Sequence, residues 1–115
     1  VARLATSGPH VVPVTFALEG ETIVTAVDHK PKTTRRLRRL DNIAADPRVS
    51  VLADHYEEDW GRLWWVRADG TARVVEEWPV DSLTAKYPQY REIPPDGPFI
   101  VIDVHLWRHW TALPD

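Results

Sequence analysis

Short apolar blocks, most alternating with polar residues, run along nearly the whole chain, and only two stretches change to helical spacing. VARLAT (1–6) is apolar and closed by the turn signal Ser7-Gly8-Pro9. His10 to Leu18 (HVVPVTFAL) is rich in β-branched and aromatic residues and predicts a strand. Pro13 within it lacks a ladder donor, which places the strand at an edge or bulges it there. Glu19-Gly20-Glu21 predicts a hairpin turn into a returning strand, Thr22 to Val27. Val49 to Ala53 hardly alternates and predicts a strand buried on both faces. Leu63 to Ala68 and Thr71 to Glu76 predict two strands joined at Asp69-Gly70, a strong hairpin signal. Trp64 and Trp65 must then face opposite ways, one into the core and the other toward a partner, a ligand or water. Phe99 to Trp107 predicts a closing strand, with Ile100, Ile102, Val104 and Leu106 on one face and Val101, Asp103, His105 and Trp107 on the other.

Helical spacing appears in VDHKPKTTRRLRRLDNIAADP (27–47), where Leu37, Leu40, Ile43 and Ala44 make one apolar stripe. Pro31 suits the start of that helix and Thr33 or Thr34 its cap. A second, short helix is predicted from Pro79 to Tyr87, stopped by Pro88. Tyr87 to Pro98 then reads as a connector holding four of the ten prolines. The order is three strands, helix, three strands, short helix, strand, without repeats. A mostly antiparallel meander with one helix across a gap predicts a mainly β, small-barrel domain spanning residues 1–115.

Charge sharpens this picture. Lys30, Lys32, Arg35, Arg36, Arg38 and Arg39 place six cations in ten positions, in a chain of net charge −3. Such segregation points to an anionic ligand, although a solvated helix face is the plainer alternative. These cations sit where the helix macrodipole is already positive, a conflict that a phosphate at the amino end resolves. The acidic overall balance, pI about 5.9, speaks against a nucleic-acid patch and favours phosphate on a small molecule. The absence of cysteine excludes disulfides and thiolate metal sites and is compatible with a cytoplasmic setting. The acidic loop Asp54 to Gly61 lacks the spacing of a metal motif, and on a strand His105 and His109 lie roughly 13 Å apart, so no metal is expected. No apolar run reaches membrane-span length and no signal-peptide pattern opens the chain. It starts at Val1, already in strand, so a preceding segment is expected to be missing. Six tryptophans in 115 residues point to an interface or a flat ligand as well as a core.

The order of elements, with ARLAT (2–6), PHVVPVTF (9–16), residues 27–52, DWGRLWWVRADGTARV (59–74) and the strand from Phe99, resembles the split β-barrel family of pyridoxamine-phosphate-oxidase-like flavin proteins. More narrowly it is similar to the actinobacterial branch that uses the deazaflavin coenzyme F420. The resemblance implies an antiparallel barrel of six to seven strands, with the basic helix after the third and a short second helix. It also implies a homodimer with two cofactor sites at the interface. His10, Pro13, Val14 and Thr15 match second-strand positions near the cofactor ring, with Pro13 where relatives have a polar residue. Thr25, Ala26 and Val27 match third-strand positions whose backbone binds the ring. Lys30 and Lys32 match the basic entry to the helix, and Thr33 and Arg36 after them are further candidates for binding the cofactor. Because the segment before Asn42 is about one turn longer than usual, either Lys32 or Arg39 takes the phosphate.

The activity implied is F420-dependent hydride transfer to a small conjugated substrate, with the cofactor supplying the chemistry. Six cations exceed what one compact phosphate needs, which favours F420, with its phosphodiester and glutamate tail, over FMN. Trp60 and Trp64 are candidates for the substrate pocket, and His55 or Tyr56 for a proton donor. The alternatives are an FMN-dependent oxidase or reductase, a non-catalytic cofactor carrier, and a nucleic-acid binder using Lys30 to Arg39. Val101, Trp107 and Trp110 are the apolar surface expected at the dimer contact.

Overall fold

The computed structural model describes residues 1–27 and 38–112. Within them lie β1 (Ala2–Thr6), β2 (His10–Val14), β3 (Ala17–Glu19), β4 (Thr22–Ala26), α1 (Arg38–Ala45), β5 (Arg48–His55), β6 (Trp64–Val75), α2 (Asp81–Lys86), α3 (Pro88–Glu92) and β7 (Phe99–Thr111). A 3-10 turn, Trp60–Arg62, precedes β6. The strands form one antiparallel sheet in the order β2-β1-β5-β6-β7-β4-β3. Its outermost strands, β2 and β3, are neighbours in sequence, with only Thr15 and Phe16 between them. Three Cα steps reach at most roughly 10–11 Å, so the sheet has to curl until its edges nearly meet. The result is the mainly β half-barrel that was expected, split at Thr15–Phe16, a position the sequence did not indicate.

The concave face carries the main core: Leu4, Val14, Ile23, Val49, Val51, Ala68, Ala72, Ile100 and Ile102, closed at one end by Ile43 of α1. Asn42 fixes that helix, its side-chain amide donating to the Thr6 hydroxyl at 3.0 Å. A second cluster on the convex side packs Ala17, Val24, Ala26 and Phe99 against Leu83 of α2. Residues Phe99 to Ile102 are therefore buried on both faces. Among the described residues no helix is long and apolar enough to cross a membrane.

Several expectations need correction. The strand predicted over His10–Leu18 is two, because β2 pairs with β1 and β3 with β4 on the opposite edge. Pro13 does sit in an edge strand. Asp69-Gly70 is not a turn: β6 runs straight through it, and a bulge against β7 lies there. A Cβ on Gly70 would meet the Asp103 carbonyl oxygen at 2.3 Å, so this glycine serves close backbone approach rather than a hairpin. The strand count still agrees, because one predicted strand divides and two merge.

The same bulge changes β7. Asp69 opposes Leu106 and Gly70 opposes Val104, which leaves His105 as the extra residue. Beyond it the faces exchange: Trp107, opposite Ala68, joins Ile102 and Val104 on the concave side, and Leu106 turns outward. β5 is buried on one face only, with alternating cover, since its convex side carries no second layer. The second helix is shorter than predicted, and Pro88 starts α3 instead of ending a helix in a bare connector. Of the predicted apolar stripe, Leu40 and Ile43 pack on the sheet, Ala44 faces outward, and Leu37 lies outside the described residues.

Candidate functional site

Of the expected ring contacts, Thr15 lies at the split. Thr15 and Phe16 bridge the two edges, and the β4 residues Thr25 and Ala26 lie past the last β3 pairing, Ala17 with Val24. On that side Thr25 and Ala26 have no strand partner among the described residues, while β7 covers their other side. Val14, Thr25, Ala26 and Val27 are buried. The Val27 N–H already donates to the Pro98 carbonyl at 3.0 Å. Pro13 is exposed opposite Arg3, and His10 opposes Thr6 at the far end of β2, away from the split. Lys30, Lys32, Thr33 and Arg36 lie outside the described residues, and Arg39 sits half-buried in the first turn of α1.

Helices α2 and α3 hold the split in shape. The Tyr87 hydroxyl accepts the Phe16 N–H and donates to the Phe16 carbonyl, both at 3.1 Å. The Lys86 ammonium donates to the same carbonyl at 2.8 Å and lies 3.5 Å above the Phe16 ring. Tyr90 and Thr15 hydroxyls are bonded at 2.9 Å. Leaving the sheet deprives Phe16 of ladder partners; Tyr87 and Lys86 replace them, while Tyr90 holds the Thr15 side chain. Sequence reading missed all three. With Pro88 expected to stop a helix, nothing in the sequence signalled that α3 would bring Tyr90 beside Tyr87.

The proton-donor candidates separate. His55 and Tyr56 follow one another at the end of β5 and point to opposite faces. The His55 ring stacks on Trp64, with centroids 6.4 Å apart and planes 20° off parallel, and its Nε2 bonds the Glu57 carboxylate. That bond holds the Glu57 carboxyl below its usual value, with Arg62 at 3.4 Å assisting. Tyr56 stands on the convex side with Leu52, Asp54, Trp65 and Arg67. Trp60 is 76% exposed in its 3-10 turn, capped by Asp59, whereas Trp64 lines an apolar recess with Phe16, Ala53, Ala68 and Trp107.

A polar cluster crosses the convex face nearby. Ser50 donates to Asp69 at 2.7 Å and Arg67 grips the same carboxylate through two nitrogens at 3.0 and 3.1 Å. The Ser50 hydroxyl first, and Arg67 next, hold Asp69 below the ordinary aspartate value. His105 bonds Thr71 beside this cluster, while His109, opposite Val66, is on the concave side. Among the described residues no three His, Cys, Asp or Glu side chains group as metal ligands.

A curled antiparallel sheet split at consecutive edge strands defines the class, and comparison with known families agrees. The pyridoxamine 5'-phosphate oxidase family model matches residues 1–111, and the chain belongs to that family. Among solved structures, a conserved hypothetical protein of Mycobacterium tuberculosis is 22% identical with TM-score 0.69, covering 99% of this chain and 81% of that one. A FAD-binding protein of Mesorhizobium loti is 19% identical with TM-score 0.63, covering 94% and 83%. The FAD-binding protein of Mycobacterium smegmatis is 17% identical with TM-score 0.58, covering 96% and 85%. At these identities they establish the fold alone. No curated protein sequence matches the chain significantly.

Proposed function

We propose that the protein binds a flavin-type cofactor with its ring at the barrel split and works as an F420-dependent oxidoreductase. The observation that carries this is the break in the sheet beyond the Ala17–Val24 pair, where Ala26 has no strand partner on that side among the described residues and Thr15 and Phe16 are held by Tyr90 and Tyr87. Family membership and two FAD-binding neighbours support a flavin-type ring. The run of six cations from Lys30 to Arg39, next along the chain from β4, favours F420 through its long anionic tail.

When bound, the deazaflavin carries the hydride. The chain's part is to seat the ring against the split, and to hold its anionic tail with Lys30, Lys32, Thr33, Arg36 and Arg39. His55, paired with Glu57 and stacked on Trp64, is the better-placed proton donor because Tyr56 faces away from that side. An unchanged turnover rate in His55→Ala would remove this role.

We also propose a homodimer. Beyond the last partners given by β4 (Asp103) and β1 (Leu52), strands β5, β6 and β7 continue as a three-stranded arm. Its convex side carries Tyr56, Trp65, Leu106 and Trp110, an apolar patch of the kind that marks an interface. Val101, expected at this contact, is fully buried, and Trp107 faces the other way. A monomer mass at concentrations where cofactor binds would contradict the shared site.

FMN or FAD is the second reading, favoured by the neighbours. Parallel titrations decide it: tighter binding of FMN or FAD than of F420 refutes the deazaflavin assignment and leaves the flavin one.

A further inference from the structure

The concave side of the arm holds a recess of about 230 Å³ whose lining is wholly apolar: Phe16, Leu18, Ile23, Val51, Ala53, Trp64, Val66, Ala68 and Trp107. We infer that it is a binding site for an uncharged, flat aromatic molecule of about two fused rings. Resting on the reading above, that molecule is the class of substrate presented to the cofactor ring.

Three features point to this occupant. The floor is made by Ala53 and Ala68, small residues on adjacent strands, while Trp64, Trp107 and Phe16 stand as walls. Larger side chains at the two alanines would fill the space, so the slot is written into residue size as well as backbone. Second, size selects the ligand. An apolar protein cavity of about 150 Å³ takes a single benzene ring, so this volume suits roughly two fused rings with an open rim. Third, no lining side chain carries a charge and only the two indole N–H groups can donate a hydrogen bond, which disfavours charged or polyhydroxylated ligands that would lose water without replacement. Indole and phenyl faces instead offer stacking.

The position gives the site a use. Phe16 is the chain neighbour of Thr15 and is pinned by Lys86 and Tyr87, so one wall of the recess belongs to the split itself. His55 lies at the same mouth, stacked on Trp64. The β7 bulge places Trp107 there: in a strand running regularly through His105, Trp107 would point to the convex side and the recess would lose a wall.

The test uses Prodan, a neutral naphthalene whose emission shifts to the blue in apolar surroundings, with 2-naphthalenesulfonate as the charged counterpart. Wild-type protein should bind Prodan saturably, and the sulfonate at least about tenfold more weakly, since burying the charge is costly. Ala68→Leu fills the floor and Trp107→Ala removes an exposed wall. Each should weaken Prodan at least about tenfold, the rim variant serving if the buried one folds poorly. Titrations of F420 and FMN with the same variants separate the two claims. Prodan binding without either cofactor keeps the recess and refutes the cofactor reading, and cofactor binding without Prodan does the reverse. Prodan binding unchanged in Trp107→Ala, or a recess inaccessible because a second copy covers it, overturns the inference.

Discussion

Gly70→Ala is the sharpest structural test of the bulge. A methyl group there would lie 2.3 Å from the Asp103 carbonyl oxygen, 3.0 Å from its carbon and 3.1 Å from Ile102 Cγ2. Ordinary contact needs roughly 1 Å more, and the obstacle is backbone in the longest strand pair, with no flexible tip to move aside. Overpacking costs about 1–3 kcal/mol, and a backbone obstacle sets the expectation at the upper end, about 3 kcal/mol. At about 4 °C per kcal/mol for a domain of this size, melting should fall by about 12 °C. Gly20→Ala is the contrast: φ is +66° but nothing lies within 4 Å, so only the left-handed backbone is strained, at about 1 kcal/mol. Gly61→Ala meets only the Asp59 carboxylate at 3.4 Å and should be nearly neutral. Urea denaturation of the three variants measures the order. If Gly70→Ala stays within about 0.5 kcal/mol of wild type, the close approach is wrong, and with it the placement of Trp107.

Further expectations concern the polar cluster, the split and the arm. Asp69 has a depressed folded pKa, so its contribution is present above the unfolded aspartate value, about 3.9, and is lost as pH falls through the folded value. Ser50→Ala should cost about 1 kcal/mol at pH 7, after allowance for partial exposure, and the difference from wild type should shrink below about pH 4. A pH-independent difference in urea midpoints would contradict this. Tyr87→Phe removes the hydroxyl that both accepts from and donates to Phe16 and should cost about 1–2 kcal/mol while weakening cofactor binding. Unaltered cofactor affinity would separate the helices from the site. Trp110→Ser should shift the mass in sedimentation toward monomer without lowering monomer stability, and an undiminished dimer would exclude the convex side of the arm.

Much of the barrel was legible because its strands are short, β-branched and bounded by turn residues. Pro13 announced an edge, and Gly20 a hairpin, which it turns with φ +66°. Asp69-Gly70 misled because a glycine needed for close approach has the same local chemistry as one needed for a turn, and only the strand across from it decides. The faces of β7 were misassigned for the same reason, since a bulge is a property of two strands. Of the candidate site, Thr15, Thr25 and Ala26 came from family resemblance, and Thr15 lies at the split, whereas Phe16, Lys86, Tyr87 and Tyr90 gave no local signal. Their bonds join residues about 70 positions apart. His55 and Tyr56 were equivalent in sequence and became distinct once strand alternation put them on opposite faces.

A fluorescence titration with F420, FMN and FAD in parallel, read through the six tryptophans, bears most directly on the central claim. Saturable binding of F420 at one site per protomer, tighter than either flavin and weakened by Lys32→Ala or Arg39→Ala, is the predicted result. Binding of none of the three would contradict the account, leaving the barrel split without the ligand its geometry is taken to serve.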